Sequence, residues 1–342
     1  MPINRPARAA AAAIAAVVAI AAPASADPVA DFYRGKTIAM VMGTGPGGSF
    51  DLYGRTIAMH MQKHIPGNPT IVMEHMPGAG GVIAANHIYG TAPQDGSKML
   101  LSHAITLSEK LTPTGVRFET AKMQWLGAFD AIAQMMVVWH TVPVNTIDDL
   151  RTADIVIGSF SKSHLTYQWA SLLKDAIGAK YKIITGIRSG NDNNLAMERG
   201  EIHGWTPSWE NLNGTRPQWI TEKKVKFLAS FTLERPSYLK DVPTLIELAP
   251  PEKKDVAEFV ISGTPIARSI ALGPGVPADR VAALRKAFEA TMKDPAFLAD
   301  AEKRKLAVDP RTHQQVEAMV KKIVFASPDL VERVKKAIGQ TE

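Results

Sequence analysis

The sequence predicts an α/β protein of two domains, and three patterns predict it. Short apolar runs alternate with segments of helical periodicity, in two separate series. Glycine-rich turns stand where the first two strands of the first series pass into helices. Two apolar stretches, residues 126–139 and 259–273, flank the second series and are long enough to run from one domain to the other.

The first feature in chain order is a targeting segment. Arg5 and Arg8 precede an apolar run over residues 9–22, and Ala24-Ser25-Ala26 supplies a small-residue cleavage pattern, so residues 1–26 read as a secretory signal peptide and the mature chain as beginning at Asp27. The run is shorter than the ~18 to 20 residues that span a bilayer. Cleavage takes away two arginines and no acid, lowering the formal charge of the 342-residue chain from +6 to +4. That mild, interspersed balance does not predict nucleic-acid binding. There are no cysteines, which removes disulfides, thiolate nucleophiles and cysteine metal sites. A hydrophobic content of 46% makes the core the source of stability.

The first series opens with a strand at residues 38–42, followed by a helix at 49–64 whose Tyr53, Ile57, Met61 and Ile65 recur at four-residue spacing. A strand at 71–74, a glycine turn, a helix at 82–89 and a strand at 99–102 follow. Alternation of this kind predicts a parallel sheet with helices on its faces. After the crossing at 126–139, the second series places a short helix at 148–150, a strand in IVIGSF, a helix at 164–177, a strand in YKIITG, a helix at 193–199 and strands in IHGW and VKFLASF. The stretch 259–273 reads as the return crossing. Helices at 279–292 and 312–323 then pack back on the first domain. The expected organisation is therefore 27–132 with 263–342 as a discontinuous first domain, and 133–262 as the second.

A glycine turn between a strand and a helix presents backbone N–H groups where the helix dipole also favours an anion. Thr44, Gly45, Gly47, Gly48, Ser49, Phe50 and Asp51 form one such turn, and Gly78, Ala79 and Gly80 a second. Gly43, Gly45 and Gly48 also fit the G-x-G-x-x-G dinucleotide fingerprint, with Glu74 near the ribose-binding position. Pro46 removes an N–H from that turn, the export signal argues against a dissociable nicotinamide, and the second turn has no place in the scheme. A P-loop fails because no Gly-Lys-Ser/Thr closes the turn.

The chain resembles the extracytoplasmic solute-binding receptors of the tripartite tricarboxylate transporter family. The matching stretches are PGGSFD at 46–51, EHMPGAGG at 74–81, APQDG at 92–96, SKSHL at 161–165, IRSG at 187–190 and RPSYLKDVPTLIE at 235–247. The resemblance implies a two-domain periplasmic-binding-protein fold of the Venus-flytrap kind, hinged on two crossing strands. It implies a receptor, not an enzyme, in the periplasm, a monomer that takes up a small organic acid and docks transiently on integral-membrane permease subunits. The two glycine turns of the first domain enclose a carboxylate in such proteins; Ser161, Ser163 and His164, with Arg188 and Ser189, are the second domain's share. The chain departs from the pattern at Met76, where a basic residue is usual, and at Ala196, where an acid is.

No cofactor and no metal are expected. His60 and His64 lie four apart on a helix, without the catalytic acid of a zinc protease between them. His103, at the end of the third strand, is placed to reach the crevice. Arg188 suits a carboxylate bidentately. Trp205 and Trp209 serve either as a pocket floor or as core packing. Ser161 and Ser163 beside His164 do not make a hydrolase, since no G-x-S-x-G elbow exists. The alternatives left open are a nicotinamide-dependent oxidoreductase using residues 43–48 and a periplasmic ligand sensor for a signalling partner.

Overall fold

The computed structural model describes Met1 and residues 27–102, 105–236 and 238–339. The expected signal segment and His103 lie outside the described residues. Two sheets carry the fold. The chain lays down β1 (Thr37–Met42), β2 (Thr70–His75), β3 (Lys98–Leu101) and β4 (Gln124–Ala128) in the first sheet. It then builds β5 (Gln134–Trp139), β6 (Val156–Gly158), β7 (Lys182–Ile184), β8 (Gly204–Trp205) and β9 (Val225–Phe231) in the second. With β10 (Ser269–Leu272) and β11 (Arg311–Thr312) it returns to the first.

The strand orders are β11-β4-β10-β3-β1-β2 and β7-β6-β8-β5-β9. Met40, Val41 and Met42 of β1 are all fully buried, as expected for a strand covered on both faces by helices. Tyr53, Ile57 and Met61 of helix Ser49–Met61 bury the predicted stripe. Helices Ala278–Met292 and His313–Val324 pack against β4, so the chain beyond residue 278 covers the first sheet. Among the described residues, no helix is long and apolar enough to cross a membrane.

The sheets are mixed where a purely parallel arrangement is expected. β1 runs parallel to β2 and β3, and β6 runs parallel to β7 and β8, but β10 is antiparallel to β3 and β4, and β5 is antiparallel to β8 and β9. The reason is geometric. β5 and β10 are the strands that enter each sheet from the other domain, so they run away from the facing edge while their neighbours run toward it. The return crossing is also shorter than expected, because residues 254–261 form a helix (Lys254–Ile261) before the chain reaches β10. Helix Gly190–Glu198 starts three residues early, since Ser189 caps it by accepting from the Asp192 N–H at 3.1 Å. Helix Ser49–Met61 continues as a 3-10 turn, and helix Val82–Asn86 continues as a π turn over His87–Thr91.

Register puts the loops where they can meet. Met42 of β1 stands beside His75 of β2, so both glycine turns leave the same sheet edge side by side. Gly158 of β6 stands beside Ile184 of β7 and Trp205 of β8, so three loops of the second sheet also leave together. Crevices at the carboxyl ends of parallel strands are where α/β sheets bind ligands.

Candidate functional site

These loops enclose a cleft divided into two chambers. The inner one is about 40 Å³ and the outer about 280 Å³; Thr44, Phe160 and His164 line both. The first domain contributes Thr44, Gly45, Gly48, Ser49 and Phe50 to the inner chamber. Among the described residues, the N–H groups of Gly45, Gly48 and Ser49 donate to no atom. Helix Ser49–Met61 starts here with Gly48 as its cap residue, and no side chain caps it.

The second domain faces it with the capped starts of two further helices. His164 accepts from the Thr166 N–H at 3.1 Å at the start of helix Leu165–Ile177, and Ser189 caps helix Gly190–Glu198. Three positive dipole ends thus converge on a space lined by no charged side chain. Burial pushes the His164 imidazole down to about 3, so it is neutral. Trp205 and Gln134 also line this chamber, and both are almost wholly buried. Neither Trp205 Nε1 nor Gln134 Oε1 has a hydrogen-bond partner among the described residues.

The outer chamber is lined by Gly78, Ala79 and Gly80 on one side and by Ser161 and Arg188 on the other. The turn carries four consecutive positive φ angles, 140° at Gly78, 45° at Ala79, 64° at Gly80 and 97° at Gly81. The N–H groups of Gly78, Ala79 and Gly80 donate to no atom among the described residues, while Gly81 N–H closes the turn on Gly78 O at 3.0 Å. Arg188 is exposed and its guanidinium has no hydrogen-bond or ion-pair partner among the described residues.

The domains are in contact around this space. A Cβ placed on Gly80 would lie 2.9 Å from His164 N and 3.0 Å from Ser163 C, one on Gly48 would lie 3.6 Å from Gly190 N, and Ser49 Oγ is 3.5 Å from Ser208 Oγ. Arg268 lies behind the inner chamber, fully buried. It donates to Asp130 Oδ2 at 2.5 Å, Glu210 Oε2 at 2.9 Å and Ser208 Oγ at 3.2 Å, and its guanidinium lies 4.2 Å from the centre of the Tyr53 ring.

Against this geometry, the sequence profile of the tripartite tricarboxylate transporter family receptor matches residues 54–335. The chain belongs to that family of receptors. A curated relative, the UPF0065 protein in the gbd 5' region of Cupriavidus necator, is 26% identical over 238 residues, covering 64% of this chain and 66% of that protein. The chain thus spans just under two thirds of that relative's length. Among solved structures, the periplasmic binding protein BugD is similar with a TM-score of 0.72 at 23% identity, covering 89% of this chain and 98% of that one. Rpa4515 of R. palustris, solved with adipate, gives a TM-score of 0.70 at 17% identity over 89% of this chain and 97% of that one.

Within this receptor, the expected site residues divide into three groups. Thr44, Gly45, Gly48, Ser49, Phe50, His164, Ser189 and Trp205 line the inner chamber, and Gly78, Ala79, Gly80, Ser161 and Arg188 the outer. Gly47, Asp51 and Ser163 line neither and act as braces. Asp51 folds back from the first helical turn to accept from Gly47 N–H at 3.1 Å and Arg55 Nε at 3.0 Å, with His75 Nε2 3.2 Å away and His75 Nδ1 3.0 Å from Thr44 O. Ser163 packs against Gly80 across the cleft and its carbonyl accepts from Ser108 Oγ.

The dinucleotide reading loses its two markers here. A Cβ on Gly43 would lie 2.4 Å from Gly81 Cα, so that glycine is needed for turn-on-turn packing, and Glu74 is paired with Lys98 at 2.5 Å. His60 and His64 pair with Asp300 and Asp294, and Trp209 stacks on Tyr238. Ala196 is buried in the second domain's core, away from both chambers. Gln134, Gly190 and Asn211 line the inner chamber without having been singled out in the sequence. Gln134 had a signal, since it and Asp130 are the polar residues in the apolar run 126–139.

Proposed function

We propose that this protein is an extracytoplasmic receptor that captures a small organic acid between its domains and passes it to a membrane permease. The observation that carries the reading is the convergence of unpartnered main-chain N–H groups and three helix starts on a chamber lined by no charged side chain. Such a chamber binds a carboxylate without the desolvation cost of a buried cation. Arg188, partnerless at the outer chamber, adds the one formal charge suited to the ligand's far end. A relative of the same fold solved with adipate fits this reading.

In this account the domains comprise 27–132 with 263–342 and 133–262, and hinge at the crossings between β4 and β5 and before β10. The chain reaches the periplasm by its N-terminal signal peptide and works as a monomer, docking transiently on integral-membrane subunits. A thermal-shift screen of the chain from Asp27 against dicarboxylates, tricarboxylates and aromatic acids tests the function. A ligand that prefers the closed form raises the midpoint by mass action. Silence across all acids, with a response to sugars or cations, removes the reading.

A further inference from the structure

We infer that His75 is a positioning residue, held as an imidazolium that aims the Gly45 N–H into the cleft, so that the receptor's grip on acids weakens as pH rises. The effect on affinity rests on the organic-acid reading above; the state of the ring does not.

His75 ends β2 and turns both ring nitrogens onto oxygens at the first glycine turn. Nδ1 lies 3.0 Å from Thr44 O, and Nε2 lies 3.2 Å from Asp51 Oδ1. Turning the ring over would set carbons against both oxygens, so the two contacts together fix its orientation. A carbonyl oxygen only accepts, so Nδ1 carries a hydrogen. Asp51 is an acceptor too. Gly47 N–H and Arg55 Nε donate to its other oxygen at 3.1 and 3.0 Å, and it stands in the first turn of its helix, where a carboxylate is favoured. Asp51 Oδ1 and His75 Nε2 are both buried, and neither has another partner among the described residues. A bare Nε2 would set two lone pairs against each other away from water, whereas a hydrogen there makes a charge-assisted bond. Either neutral tautomer leaves one ring nitrogen facing an oxygen with no hydrogen between them. The doubly protonated ring satisfies both.

The charge reaches the ligand through one peptide unit. Thr44 C=O and Gly45 N–H belong to the same planar group, so an oxygen held by His75 fixes the N–H on the opposite side. That N–H donates to no atom among the described residues, and Gly45 lines the inner chamber. A cation on the carbonyl also polarises the peptide, which makes the N–H a stronger donor to a carboxylate. The other charged groups around the ring are few. Arg55 reaches Asp51, Glu74 of the same strand is paired with Lys98 of β3, β1 alongside carries no charge, and Arg188 stands across the outer chamber. Histidine is the side-chain type among these whose charge ordinarily changes between about pH 5 and 8. Losing the ring's charge frees the Thr44–Gly45 peptide, and the cleft loses a fixed donor.

Two measurements on the chain from Asp27 test the inference. In long-range nitrogen–proton NMR spectra, the His75 ring should carry hydrogen on both nitrogens at about pH 6 and lose one toward about pH 8.5. The Gly45 amide resonance should move with that titration. Isothermal titration with adipate, or with the tightest-binding acid of the screen should adipate not bind, should show affinity falling about tenfold over the same interval. His75→Asn keeps a donor for Thr44 O without a titrating charge, so its affinity should stay near the wild-type value at high pH throughout. A ring with a single hydrogen at the acid end overturns the inference. So does a wild-type affinity that does not change with pH, or a pH dependence that survives in His75→Asn. Should that variant misfold by circular dichroism, the wild-type spectra and titration decide. Acid binding without pH dependence leaves the organic-acid reading standing. If no acid binds, that reading falls, and the Gly45 resonance decides the inference: movement with the ring supports it, and a fixed resonance overturns it.

Discussion

Arg268 Nη1 meets Asp130 Oδ2 at 2.5 Å, joining the two segments that cross between the sheets. Asp130 lies between β4 and β5, and Arg268 lies just before β10. The same guanidinium reaches Glu210 and Ser208 of the second domain, and Ser208 lines the inner chamber. The crossing segments and the candidate site therefore share one buried cation.

Removing that charge should be costly. Arg268→Met leaves Asp130 and Glu210 buried without a cation, and breaking a buried pair in this way costs on the order of 3 to 5 kcal/mol. Urea denaturation is the measurement. The double variant Arg268→Met with Glu210→Gln should recover part of the loss, since one uncompensated carboxylate has gone.

The cluster also sets a pH dependence. Burial pushes the Asp130 carboxyl up to about 7, and the Glu210 charge adds to this while Arg268 opposes it. Two acids share one arginine in a dry site, which favours the protonated form of Asp130 below pH 7. An acid whose folded value lies above its unfolded value near 4 contributes stability that is fully present below pH 4 and is lost as pH rises through 7. The melting temperature of Asp130→Asn should depend less on pH between 5 and 8 than that of the wild type. Identical slopes would show that Asp130 does not titrate there.

Closure should depend on Gly80. Its φ of 64° and its approach to the Ser163–His164 backbone leave no room for a side chain. Gly80→Val should cost roughly 1 to 2 kcal/mol in folding from the left-handed conformation and abolish ligand binding by holding the domains apart. Small-angle scattering with and without ligand reads the closure directly.

Arg188 should separate binding from stability. Being exposed and partnerless, its replacement by Ala should change stability by less than about 0.5 kcal/mol. Affinity for acids with a second carboxylate should fall about tenfold or more, and Arg188→Lys should restore only part of it. Unchanged affinity would place the ligand's far end elsewhere.

The sequence makes the strand, glycine turn and helix at residues 37–61 legible because all three patterns are local. The crossing at 126–139 is legible for the same reason, as an apolar run too long for one strand. Strand direction was not, since periodicity is blind to it; β5 and β10 reverse only because each enters from the other domain. The site is legible as two glycine turns, but their division between two chambers depends on how the second domain closes over Thr44. Asp51 read as a ligand contact because a carboxylate in a first helical turn gives no sign of whether it faces out or folds back to hold Gly47. Gly190 and Asn211 come to the chamber through the packing of two helix starts, which no local pattern encodes.

The difference between a carboxylate and its neutral isostere decides most directly whether the cleft is an anion site. Titrating the chain from Asp27 with the tightest-binding acid of the screen and with its primary amide, in the same buffer, isolates that difference. The amide should bind at least about a hundredfold more weakly, because the converging N–H groups and helix starts of the cleft favour negative charge. Equal affinity for acid and amide would contradict an anion site.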